Sequence, residues 1–188
     1  MKTIYAKIAL LLFTICQTVH CSAQVNSSGD KQNNLVMQEW MAMESFDGIS
    51  VTNGITLFLR NDKHQKIEVQ TSKKTLKHVK MKISDGLLEI KVDGPIEEDD
   101  KIFVFIKSPR IKSIKANRKS IVRSQNTLMA EDLHLTSSRE SHLNITANAK
   151  HLYLDSSGGS ELIVKGHTEH CSSKSKKGGS INTCDLIW

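Results

Sequence analysis

Leu152-Tyr-Leu-Asp-Ser-Ser-Gly-Gly-Ser-Glu-Leu-Ile-Val-Lys-Gly166 sets two alternating apolar segments on either side of a run of small residues. Such a run has three readings: a nucleophile loop, a phosphate cradle, or a corner between strands. The neighbouring sequence decides among them. Leu133-His-Leu-Thr-Ser-Ser-Arg-Glu-Ser141-His-Leu-Asn-Ile145 has the same design. Ile114-Lys-Ala-Asn-Arg-Lys-Ser120-Ile-Val122 is an earlier copy, and Ser172-Ser-Lys-Ser-Lys-Lys-Gly-Gly-Ser180-Ile-Asn-Thr-Cys184 is a degraded later one. The marker serines at 120, 141, 160 and 180 are 21, 19 and 20 residues apart. A period near 20 marks a solenoid, whose units bury their apolar faces only by stacking. A nucleophile or phosphate loop should occur once. Ser160 also lacks the Gly-x-Ser-x-Gly elbow, and no Gly-Lys-Ser/Thr follows the glycines. The stretch is read as a corner, where small residues suit positive φ and close stacking.

The flanking chain carries β signals almost without interruption. Ile49-Ser-Val-Thr-Asn-Gly-Ile-Thr-Leu-Phe-Leu59 alternates on both sides of Asn53-Gly54, a strong turn dipeptide, and Asp85-Gly86 marks a second turn. No segment sustains a 3.6-residue period with capping residues. The chain is expected to be all-β.

The first 24 residues are set apart. Lys2 and Lys7 precede the apolar run Ile8–Ile15, and Cys21-Ser-Ala-Gln24 is small and polar. That order predicts a secretory signal peptide over 1–24, cleaved after Ala23 or Gln24. The run is too short to span a bilayer, which takes about 20 residues. Cys21 raises a lipoprotein alternative, disfavoured by His20 in front of it. Residues 25–38 are polar and read as a flexible tether, leaving 39–188 as a single domain. Of 188 residues with net charge +6, removal of the signal leaves 164 with net charge +4. Mild, dispersed basicity and expected export both argue against a nucleic-acid partner. Localisation is expected to be periplasmic, outer-membrane-associated or extracellular.

The chain resembles the "putative adhesin, head GIN" domain family, common in exported Bacteroidetes proteins. The resemblance covers Phe46 to about Leu186. It rests on Phe46-Asp-Gly-Ile-Ser-Val-Thr-Asn-Gly-Ile-Thr-Leu57, on Ile83–Val92, on Ile102–Ala116 and on the Leu-x-Leu-x-Ser-Ser/Gly-x-x-Ser-x-Leu-x-Val repeats. It implies a right-handed parallel β-helix, here with rungs of about 20 residues. It carries over no catalytic residues. Two corners depart from the family's Ser-Gly-Ser-Gly: Asn117-Arg-Lys-Ser and Ser138-Arg-Glu-Ser.

Candidate sites are few. Arg118, Lys119, Arg139, Lys174, Lys176 and Lys177 fall near repeated corners and would form a basic ladder along one edge of a stack. Such a ladder would suit an anionic glycan or lipopolysaccharide phosphate; the bland reading is a solvated edge, interrupted by Glu140 and Gly158-Gly159. An envelope protein is the alternative partner, with the chain as a structural or assembly component. Cys171 and Cys184 are a possible disulfide, since exported chains keep them, or two free thiols. His167, His170, Cys171 and Cys184 are zinc-competent types without a finger spacing. Glu97-Glu-Asp-Asp100 could meet Ca²⁺ but reads better as a solvated loop. No metal or cofactor is expected. Polysaccharide cleavage, known from other β-helices, is the least favoured reading: no carboxylate pair recurs on one face, and exposed aromatics are scarce. The expectation is a non-catalytic exported binding module.

Overall fold

The computed structural model describes residues 35–41, 44–96 and 99–188. The signal peptide, its cleavage site, Cys21 and the tether through residue 34 lie outside these. The elements are β1 Leu35–Trp40, β2 Gly48–Thr52, β3 Thr56–Asn61, β4 Lys66–Ser72, α1 Lys73–Leu76, β5 Val79–Ser84, β6 Leu87–Val92, β7 Phe103–Ser108, β8 Ser113–Asn117, β9 Ile121–Ser124, β10 Leu128–Ser138, β11 His142–Ser157, β12 Glu161–Lys176, β13 Ser180–Asn182 and β14 Leu186–Ile187. β1 therefore takes in residues 35–38, which the sequence reading gives to the tether.

These strands make one 14-stranded sheet, eleven of them on a continuous path β1-β4-β7-β3-β9-β11-β10-β8-β2-β6-β5. The expected right-handed parallel β-helix is corrected here: the fold is all-β, but the sheet is mixed and curves as a half-barrel. β4 runs antiparallel to both β1 and β7, and β5 runs antiparallel to β6. The β5–β6 reversal follows from Asp85 and Gly86, both at positive φ (52° and 75°), which close a two-residue hairpin. The 20-residue spacing survives as parallel register within the repeats. His134 lies beside Ser113, Tyr153 beside His134, and Ser172 beside Tyr153.

Alternation places every second residue inward, and the register lines these residues up into columns. One runs Leu88–Ile49–Ile114–Leu135–Leu154, and another runs Val69–Val104–Leu57–Val122–Leu143–Leu162. All of these side chains are buried, in one apolar cluster. Neighbouring strands lie about 4.8 Å apart, so successive members of a column sit side by side; the first column stays among parallel strands, and the second crosses to an antiparallel neighbour at Val69–Val104. A third column changes character as it approaches the repeated corners. It runs Ile90–Val51–Ala116–Ser137–Ser156, from large apolar to small and then polar. The hydroxyls at its end are buried and so need partners.

Candidate functional site

The corners supply those partners. Ser120, Ser141 and Ser160 each donate back three residues, to the carbonyls of Asn117, Ser138 and Ser157, at 2.8 Å in every case. Ser137 and Ser156 donate forward four residues, to the carbonyls of Ser141 (2.9 Å) and Ser160 (3.0 Å). Two serines thus clamp each of the corners at 138–141 and 157–160 from both ends, while the corner at 117–120 has Ser120 alone, with Ala116 in the place of Ser137. Ser160 Oγ also reaches the Ser137 carbonyl on the preceding repeat, at 2.8 Å, and accepts from the Ser157 N–H. The side chain is 2 % exposed. Buried and bonded to saturation, it is a structural clamp without access to a substrate. Ser160→Ala should cost about 1–3 kcal/mol, the usual penalty for orphaning buried polar partners. The check is a chemical denaturation curve, and a loss below about 0.5 kcal/mol would reject the clamp.

At each of five corners sit two residues in the left-handed region. The pairs are Asn53-Gly54, Arg118-Lys119, Arg139-Glu140, Gly158-Gly159 and Lys177-Gly178, with φ from 48° to 75°. A non-glycine residue there costs roughly 1–2 kcal/mol. Backbone bonds between successive corners offset this. Gly54 N–H donates to Arg118 O at 3.0 Å, Lys119 N–H to Arg139 O at 3.0 Å, and Glu140 N–H to Gly158 O at 3.0 Å. Those N–H groups are consumed and are not offered to a ligand at this edge.

The structure divides the predicted basic ladder in two. Arg118, Lys119 and Arg139 are brought together and line an open depression with Asn53, Gly54 and Glu140. Lys119 Nζ lies 3.6 Å from Glu140, both well exposed, a contact worth little in water. Arg139 Nη1 leans toward Asn117 Oδ1 at a long 3.4 Å. Among the described residues no carboxylate pairs with Arg118. Gly158-Gly159 then separates this group from the last repeat. There Lys177 keeps the corner position, but Lys174 and Lys176 stand on β12 itself, beside Asp155 and Ser157.

The remaining candidates do not converge. Cys171 and Cys184 are free thiols, one half-buried and one exposed; burial pushes the Cys171 thiol up from its ordinary pKa. The His170 ring stacks on His151 at 5.4 Å. Among the described residues no three His, Cys, Asp or Glu side chains gather as metal ligands. Glu97 and Glu98 lie outside the described residues. Asp100 accepts from Ser72 Oγ at 2.6 Å and from Thr75 Oγ1, and these bonds hold its carboxyl below the usual range. It braces the turn at α1.

Sequence reasoning missed an outward stack: His134 and Tyr153 lie ring on ring, centroids 4.3 Å apart and 8° from parallel. Their equal offsets before Ser141 and Ser160 were the available signal. It also missed the polar pairs between β10 and β11 beside them, where Lys150 meets Glu131 at 2.8 Å and His151 meets Asp132 at 2.9 Å.

The family profile described as "Putative auto-transporter adhesin, head GIN domain" matches residues 45–188. Solved structures share the fold. A "putative adhesin" from Bacteroides fragilis superposes with TM-score 0.72 at 16% identity, covering 81% of this chain and 72% of that one. Another from Parabacteroides merdae gives 0.71 at 17%, covering 80% and 64%, so the match spans less than two thirds of that chain. A third from Parabacteroides distasonis gives 0.65 at 15%, covering 83% and 76%. Identities this low carry the fold alone. No curated protein is detectably similar in sequence.

Proposed function

We propose, for a chain that belongs to the head GIN domain family, a non-catalytic role in binding a ligand at the cell surface. The ligand is anionic: the phosphate or carboxylate groups of a glycan or lipopolysaccharide. The family's adhesin-like character supports a cell-surface setting, and the charged, apolar and small-residue order of residues 1–24 supports export to it. Among the described residues no helix is long and apolar enough to cross a membrane.

The observation that carries the reading is the corner group. Arg118, Lys119 and Arg139 are held on adjacent corners by backbone bonds rather than by their own charges. Their side chains line the depression, engaged only by the exposed Lys119–Glu140 contact and the long Arg139–Asn117 bond, and Glu140 is the one carboxylate of the lining. Rung spacing of about 4.8 Å lets neighbouring cations share one phosphate or span two.

Arrays of anionic glycans and lipopolysaccharides test the reading. Replacing Arg118, Lys119 and Arg139 with Ser should weaken a hit about tenfold or more and flatten its salt dependence. The thermal midpoint should hardly move, since exposed substitutions usually stay within about 0.5 kcal/mol. Unchanged affinity in the triple variant would move the site elsewhere, and an assembly role with a protein partner would take precedence.

A further inference from the structure

The last repeat leaves an edge open. β12 is covered along residues 161–163 by β13 and at Gly166 and His167 by β14. Its second half, 170–176, pairs only with β11, through His151–Ser157. Among the described residues nothing pairs with the other side of Cys171–Lys176. The Lys176 carbonyl accepts from the Gly179 N–H at 3.0 Å; the outward N–H and C=O groups before it face away from the sheet, a ready template for another strand.

The inward column changes at the same place. Leu135 and Leu154 are buried, but the next member, Ser173, is exposed, and Ser175 follows Ser137 and Ser156 in the neighbouring column. An incoming strand therefore meets small polar groups on one face. On the other it meets Lys174 and Lys176, two residues apart and both exposed, with Lys177 at the corner beyond. On the paired side of β12 the chain sets Asp155 beside Lys174. A carboxylate on the open side would repeat that juxtaposition.

We propose that the free edge of β12 at Cys171–Lys176 is a strand-addition site for an extended acidic segment of another protein. Acidic residues at alternate positions lie beside Lys174 and Lys176. Main-chain bonds supply affinity and the lysines supply selection, the usual division in β-augmentation. A second copy of this chain is a poor occupant. A two-fold pairing of β12 edges would run antiparallel and bring both lysine sets together, and like charges directly opposite are destabilising. The site is separate from the Arg118–Arg139 corner and does not depend on it.

The probe is a synthetic peptide of about ten residues alternating Thr and Glu, long enough to cover a typical strand. One control has the same composition with all Glu in one block, and a second is N-methylated at alternate residues. Binding is followed by fluorescence anisotropy, with hydrogen exchange locating the site. The alternating peptide should bind and protect amides between Cys171 and Lys176. Both controls should bind about tenfold more weakly or worse. Lys174→Glu with Lys176→Glu should reduce affinity by a similar factor, with exchange elsewhere unchanged, while Arg118→Ser with Arg139→Ser leaves it intact. No binding, equal binding of the N-methylated peptide, or protection confined to the corner would each overturn the proposal.

Discussion

Gly166→Ala should be among the most damaging single changes available, lowering stability by about 2–6 kcal/mol in a denaturation experiment. Gly166 sits within β12 at φ 118°, and a Cβ there would stand 2.1 Å from the Ala147 carbonyl oxygen. The obstacle is backbone of the adjacent strand, held in the ladder by parallel pairing, so no side chain can swing aside. Two costs add: about 1–3 kcal/mol for the conformation and about 1–3 kcal/mol for forcing a methyl group into packed structure. Gly54 provides the control. Its φ is 73°, but nothing lies within 4 Å of a Cβ added there. Gly54→Ala should cost only the conformational part, about 1–2 kcal/mol. Equal losses at the two sites would show that the Ala147 contact does not set the cost at Gly166.

The contrast between these glycines also shows what a sequence can and cannot convey. Asn53-Gly54, Asp85-Gly86 and Gly158-Gly159 are legible as turns because their residue types favour positive φ on their own. Arg118-Lys119 and Arg139-Glu140 adopt the same conformation against their local preference. What holds them is the next corner's carbonyl, which only the register brings near, together with the local clamps of Ser120 and Ser141. Alternation told which residues face inward, and the buried columns follow it. It could not tell which strand lies beside which, or in which direction, because parallel and antiparallel neighbours accept the same period of two. That is why β4 against β7 and β1, and with them the mixed half-barrel, escaped a reading based on repeats. The basic ladder is divided in two for a related reason. Marker spacing aligned the corners correctly, but Lys174 and Lys176 precede the corner and belong to the strand.

Leu143→Ala should cost about 2–5 kcal/mol, toward the upper end of the range for a buried leucine truncated to alanine. Its side chain is 1 % exposed, between Val122 on one strand and Leu162 on the next, both fully buried. With rigid strands on each side, little can move in to fill the space. Leu154→Ala is the graded comparison. Leu154 is also buried, at 3 %, beside Leu135, but its other neighbour is the exposed Ser173. Water and small movements at the open edge can relieve that cavity, so its cost should fall toward the lower end. Glu161→Ala lies on the outward parity of the strand that holds Leu162. Its contact with His142 at 3.3 Å is half exposed on both sides. It should change stability by less than about 0.5 kcal/mol. The order Leu143, Leu154, Glu161 is the measurable claim, read from denaturation midpoints at constant m-value. A Leu154 variant less stable than the Leu143 variant would mean that the β12 edge is closed in solution, and it would remove the site proposed there for an acidic strand.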